Sequence, residues 1–217
     1  MSDIFQEVDE EVRRDKAVEF WKKHQNLIIG AAVLIVLASA GFRFYEGRKL
    51  AAEQAAGAAF QQALTLDHAD KGADAQAALA AIAADAPGGY RTLARFAGAA
   101  VQSKTDPKGA VAVYDALAAD ASAGPLFQEA AKLRAALLRM DLNDPGAKPA
   151  LEALATPNGV YRHTARLALG VLALDAGNFD EAGKQLDLVV ADPDATTAEK
   201  RAAESLLGLV AANRATK

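Results

Sequence analysis

Three histidines, His24, His68 and His163, and a scatter of carboxylates are the residues of this chain that could do chemistry. Asp67-His68-Ala69-Asp70 sets an imidazole among two carboxylates, a beginning from which a metal site could be built. No further ligand set follows at metal spacing, so the stretch reads as a solvated turn after a helix. His163 follows Tyr161-Arg162 at the start of a helical pattern and has no serine or cysteine in a nucleophile motif to activate. Asp180-Glu181 offers paired carboxylates for acid–base work, but an acidic pair is equally ordinary where a helix begins. Neither GxxxxGK[ST] nor GxGxxG occurs, and cysteine is absent, which removes disulfides and thiolate-bound zinc. These residues predict no catalytic, cofactor or metal site, and the chain reads as non-enzymatic.

The elements that would position any functional residue are helices. Of 217 residues, only 6% are aromatic, alanine is abundant, and no β-branched run alternates with period two. The composition predicts an all-α protein. Net charge is −4 and the isoelectric point about 5.4, so no basic field for nucleic acid is present.

The strongest single signal is NLIIGAAVLIVLASAGFRFY, residues 26–45. Eighteen residues from Gln25 to Phe42 carry no charge, a helix of about 27 Å against a hydrocarbon core of about 30 Å. Lys22, Lys23 and Arg43 can snorkel to headgroups, and Trp21, Phe44 and Tyr45 stand where interface anchors belong. A buried helix of a soluble fold is disfavoured, since nothing polar interrupts Leu27 to Ala38. Ala38-Ser39-Ala40 fits a signal-cleavage rule, but the preceding leader holds seven acids and five bases, unlike a short basic n-region. The sequence therefore predicts an uncleaved anchor bounded by Leu27 and Phe42. Five cations before the span against three after it orient the N-terminus to the cytoplasm. The expected domains are a leader at 1–25, a transmembrane helix at 26–43 and a soluble domain at 44–217. In the leader, Phe5, Val8, Val12, Val18 and Trp21 recur at helical spacing. Either an amphipathic helix lying on the membrane or a partner, or a solvated helical leader, accounts for them.

Beyond the anchor the chain repeats itself. Ala75, Ala110, Ala147 and Ala182 recur at intervals of 35, 37 and 35 residues. Four residues on come Leu79, Tyr114, Leu151 and Leu186, and three further Ile82, Leu117, Leu154 and Val189. Twelve residues before each alanine stands Ala63, Gly98, Ala135 or Gly170. Small residues facing alanines let antiparallel helices approach closely, and the i, i+4, i+7 positions form the buried stripe of the second helix. Gly98, Ala110, Ala147, Gly170 and Ala182 are thus the expected packing residues. Pro87, Pro125, Pro157 and Pro193 punctuate the units. About four hairpins are predicted, closed by a capping helix over 197–213 with charges on its outer side.

In-phase positions on the first helices place Arg95, Gln102, Lys132, Arg139, Leu167 and Val171 along one side of the stack. They either line a concave groove for an extended peptide or pack against the next hairpin.

The unit LALGVLALDAGNFDEAGKQLDLVVADP, 167–193, resembles a tetratricopeptide repeat through Leu169-Gly170, Gly177-Asn178-Phe179-Asp180-Glu181-Ala182 and Pro193. The earlier copies lack the turn glycine and the large aromatic of the first helix. With the opening MSDIFQEVDEEVRRDKAVEFWKKH and the apolar run, the whole chain resembles the YfgM-like family, ancillary subunits of the bacterial SecYEG translocon. That resemblance implies a single-pass inner-membrane protein whose periplasmic tetratricopeptide-like α-solenoid mediates protein–protein interaction. The partners it implies are SecYEG and a membrane-anchored periplasmic chaperone such as PpiD, while the apolar run itself predicts contact with membrane lipid. A self-associating cell-envelope or division scaffold is the alternative.

Overall fold

The computed structural model describes the backbone of residues 3–215, with the side chains of 3–12, 15, 17, 28, 88 and 215 outside the description. Phe5, Val8 and Val12 of the leader pattern therefore lie outside the described residues. Among those described, every regular element is helical. They are α1 (Asp3–His68), α2 (Gly72–Asp85), α3 (Gly88–Gln102), α4 (Pro107–Ala119), α5 (Pro125–Asp141), α6 (Ala147–Leu154), α7 (Arg162–Asp175), α8 (Phe179–Val190) and α9 (Thr197–Ala215). A short 3-10 turn, Ala121–Ala123, joins α4 to α5.

The chain divides into two units, Met1–Ala52 and Glu53–Lys217. In the first, Leu27, Phe42 and the apolar residues between them whose side chains are described are exposed on every face of the helix. The stretch beginning at Ile29 is long and apolar enough to cross a membrane. Packing starts at Glu53 rather than at residue 44, because the side chains of 44–52 all stand exposed.

The second unit is a row of antiparallel helix pairs with four small cores. The end of α1 contributes Ala56, Phe60, Ala63 and Leu66 to a core with α2 and α3. Gly57 allows that approach, since a Cβ there would lie 2.7 Å from the Tyr90 hydroxyl. The pairs α3/α4, α5/α6 and α7/α8 follow, and α9 packs on α7 and α8. Ala75, Leu79 and Ile82, with their three counterpart sets in α4, α6 and α8, are all buried. Gly98 and Gly170 are buried as well, yet they face different neighbours. Gly98 lies nearest Leu79 of the preceding α2, whereas Gly170 takes Leu186 of the following α8.

Hydrogen bonds at the turns set where helices stop. Asp106 accepts from Gly109 N at 2.9 Å and Pro107 opens α4, a strong start signal. Gly177 is left-handed (φ 69°) and lets Asn178 N reach Ala173 O at 2.8 Å. Asp70 (φ 57°) and Asn143 (φ 54°) do the same work, with Lys71 N bonded to Leu66 O and Asp144 N to Arg139 O. The copies that turn at Asp70 and Asn143 thus close without glycine through Asp and Asn, the non-glycine residues that best tolerate this conformation, while the turn from α3 to α4 uses no left-handed residue.

Candidate peptide-binding cleft

A cleft of about 530 Å³ opens between α4, α5, α6 and the loop 155–160. Leu154, Ala150 and Ala153 give it an apolar side, and Val160, 65% exposed, stands at its edge. Arg139 donates from Nη2 to Asp115 Oδ2 at 2.5 Å, and Lys132 Nζ to Glu129 Oε1 at 2.6 Å. Both pairs are solvent-accessible, so either cation can exchange its acid for a ligand carboxylate or carbonyl at small cost. Gly159 shapes the loop: a Cβ there would lie 2.2 Å from Leu154 O. Apolar surface beside exchangeable charges and the Asn158 amide suits a short peptide segment.

Of the six side chains expected along one groove, the fold brings Lys132 and Arg139 to this cleft. Arg95 is turned to Asp120 at the far end of its own hairpin. Gln102 donates to Asp106 Oδ2 at 3.1 Å beside the turns that follow α1 and α3. Leu167 packs into the core of α7, α8 and α9, and Val171 is half-buried on α7. A first helix of this stack has two covered faces, and spacing alone does not say which one a residue joins. Asp115, Glu129, Ala150 and Ala153 carry no sequence signal, and Leu154 is marked by its spacing only as a buried stripe residue. The loop's one legible signal was the turn-forming run Thr156-Pro157-Asn158-Gly159.

The histidines also have places. His68 is exposed at the end of α1, and His24 stacks on Phe20 with ring centroids 4.5 Å apart. His163 is buried between Asp192 Oδ2, 2.9 Å from Nε2, and Glu199 Oε2, 3.5 Å from Nδ1. The 2.9 Å approach is too poorly aligned to make a hydrogen bond. Arg162 grips Asp192 through Nε at 2.9 Å and Nη2 at 3.2 Å, and reaches Asp194 as well. This cluster ties α7 to the loop before α9. Among the described residues no group of acids and histidines is arranged to hold a metal ion.

Residues 18–159 match the family described as a tetratricopeptide repeat-like domain, more than half of the 217-residue chain. The chain belongs to the tetratricopeptide repeat-like domain family. No curated protein and no solved structure matches it. The match takes in the apolar run and the first three hairpins and stops at Gly159, so the unit most legible by eye, 167–193, lies outside it. Tetratricopeptide repeat-like domains typically serve as interaction modules, and every lining residue of the α4–α6 cleft but Val160 falls within the matched residues.

Two hairpins of this tetratricopeptide repeat-like array are closed at their open ends by an arginine and an aspartate, Arg95 with Asp120 and Arg162 with Asp192. The Ser122 hydroxyl, helped by Arg95 and the Ser122 amide, holds the Asp120 carboxyl down at about 2. The Arg162 guanidinium holds Asp192 well below the usual carboxylate range. Both folded values lie below those of the unfolded chain, so the stabilisation is present above about pH 4 and is lost as pH falls through the folded values. Thermal unfolding followed from pH 7 to pH 2 should show a melting temperature that drops mainly below about pH 4. Replacing Asp120 and Asp192 by asparagine should flatten that acid limb, and an unchanged limb would contradict the assignment.

Proposed function

We propose that the chain is a single-pass inner-membrane protein whose repeat domain docks a protein partner beside the export channel. In this reading the leader is cytoplasmic, the helix bounded by Leu27 and Phe42 crosses the membrane, and the repeats lie in the periplasm. The partners are the SecYEG translocon and a membrane-anchored periplasmic chaperone of the PpiD kind, and the protein has no enzymatic role. The observation that carries docking is the cleft lined by Lys132, Arg139 and Leu154 within a tetratricopeptide repeat-like array. Anchoring rests on a helix apolar on every face from Leu27 to Phe42. The translocon assignment rests on the resemblance of the opening 24 residues and the apolar run to YfgM-like proteins.

Tagged full-length protein, solubilised in mild detergent and affinity-purified, should recover translocon subunits and the anchored chaperone together. Recovery of neither would sink the assignment. Arg139→Ala should weaken that recovery several-fold. It should shift stability by no more than about 1 kcal/mol, because its pair with Asp115 is solvent-accessible. An equal loss of fold and binding would mean that Arg139 is a packing residue.

A further inference from the structure

Helix α9 is the last described helix of the row, and it is built like the first helix of another pair. Thirty-five residues separate Arg162, where α7 begins, from Thr197, where α9 begins. At that offset Leu167, Gly170, Ala173 and Leu174 of α7 fall on Ala202, Ser205, Gly208 and Leu209. On α7 this face is covered. Leu186 of α8 presses on Gly170, where a Cβ would come within 2.8 Å of its Cδ2, and Leu167, Ala173 and Leu174 pack into the same core. On α9 the face is bare. Leu209 is 53% exposed, Ala202 and Ser205 are exposed, and a Cβ on Gly208 would meet nothing within 4 Å. The other side of α9, with Ala203, Leu206, Leu207 and Val210, packs onto the array. In the same way Ala165, Ala168, Leu169 and Leu172 of α7 pack onto the core before it.

The charges repeat with the shape. Arg166 of α7 is buried, with Nη1 3.7 Å from Asp192 Oδ2 just past the end of α8. Its counterpart, Arg201, is exposed and has no ion-pair partner among the described residues. The helix that would complete the pair is thereby specified: antiparallel to α9, with a large aliphatic side chain over Ser205 and a carboxylate just beyond its C-terminus.

We propose that the bare face of α9, from Ala202 to Leu209, docks one amphipathic helix of a partner protein, whose trailing carboxylate pairs with Arg201. This surface is separate from the cleft of α4–α6, and its failure would leave that reading untouched. A probe exists in the chain itself: a labelled, helix-stabilised peptide of residues 178–194, which contains α8 and Asp192 and so carries the required stripe and acid. Fluorescence anisotropy with full-length protein in detergent should show saturable binding. Ser205→Arg, which fills the recess, should weaken it by about tenfold or more. Arg201→Glu should weaken it about threefold, with recovery when the peptide carries Asp192→Arg. Both positions are exposed, and melting curves verify that the variants fold; Leu209→Glu is a second probe of the stripe. Absence of saturable binding, or affinity indifferent to Ser205→Arg and Leu209→Glu, would overturn the proposal. So would a full-length dimer that Ser205→Arg converts to monomer, since the occupant would then be a second copy.

Discussion

Replacing Tyr114 by alanine is expected to remove about 3–5 kcal/mol of the repeat domain's stability. The ring is 1% exposed on α4, meets Phe96 of α3 edge-on at 5.1 Å, and sends its hydroxyl to Phe96 O at 3.3 Å. Phe127 of α5 closes the group at 6.2 Å from Phe96. Truncation therefore opens a cavity where three helices meet and leaves Phe96 with one of its two ring partners, Phe127. Tyr114→Phe keeps the ring and loses only the hydroxyl contact, for about 1 kcal/mol. Denaturant unfolding of both variants checks the pair. A loss below about 1 kcal/mol for the alanine would mean that the core collapses around the gap.

Gly170→Leu should cost about 1–3 kcal/mol or more by overpacking. Even an added Cβ would come within 2.9 Å of Leu186 Cγ, and Leu186 is wholly buried and cannot swing aside. Gly98 supplies the control. A Cβ there would find its nearest neighbour, Leu79 Cβ, at 3.8 Å, an ordinary contact. Gly98→Ala should therefore be neutral or stabilise by up to about 1 kcal/mol through helix propensity, whereas Gly170→Ala should destabilise. Equal behaviour of the two alanine variants would mean that the close approach at Gly170 is not what the site demands.

The difference between these glycines marks where sequence reasoning reached its limit. Their shared position in the repeat was legible, because a small residue recurs at a fixed interval before Ala110 and Ala182. Which neighbour each one meets was not, since a first helix is pressed from both sides and periodicity names a stripe without naming what lies across it. The second helices were easier. Leu79, Tyr114, Leu151 and Leu186 could be placed inside from spacing alone, because those helices bury one main face. The turn at Asp67–Asp70 was legible as a turn, but not that Asp70, like Asn143 later, holds the left-handed conformation that closes it. For the cleft, Lys132 and Arg139 were named, but the acids that face them were not. Asp115 lies on the preceding helix, twenty-four residues from Arg139, and no local pattern links them.

The four separate cores have a further consequence. Each is assembled only by adjacent helices, so no side chain is shared by the whole row. Lengthening or shortening such a protein by one hairpin would require a single new seam to fit, with the remaining seams left as they are.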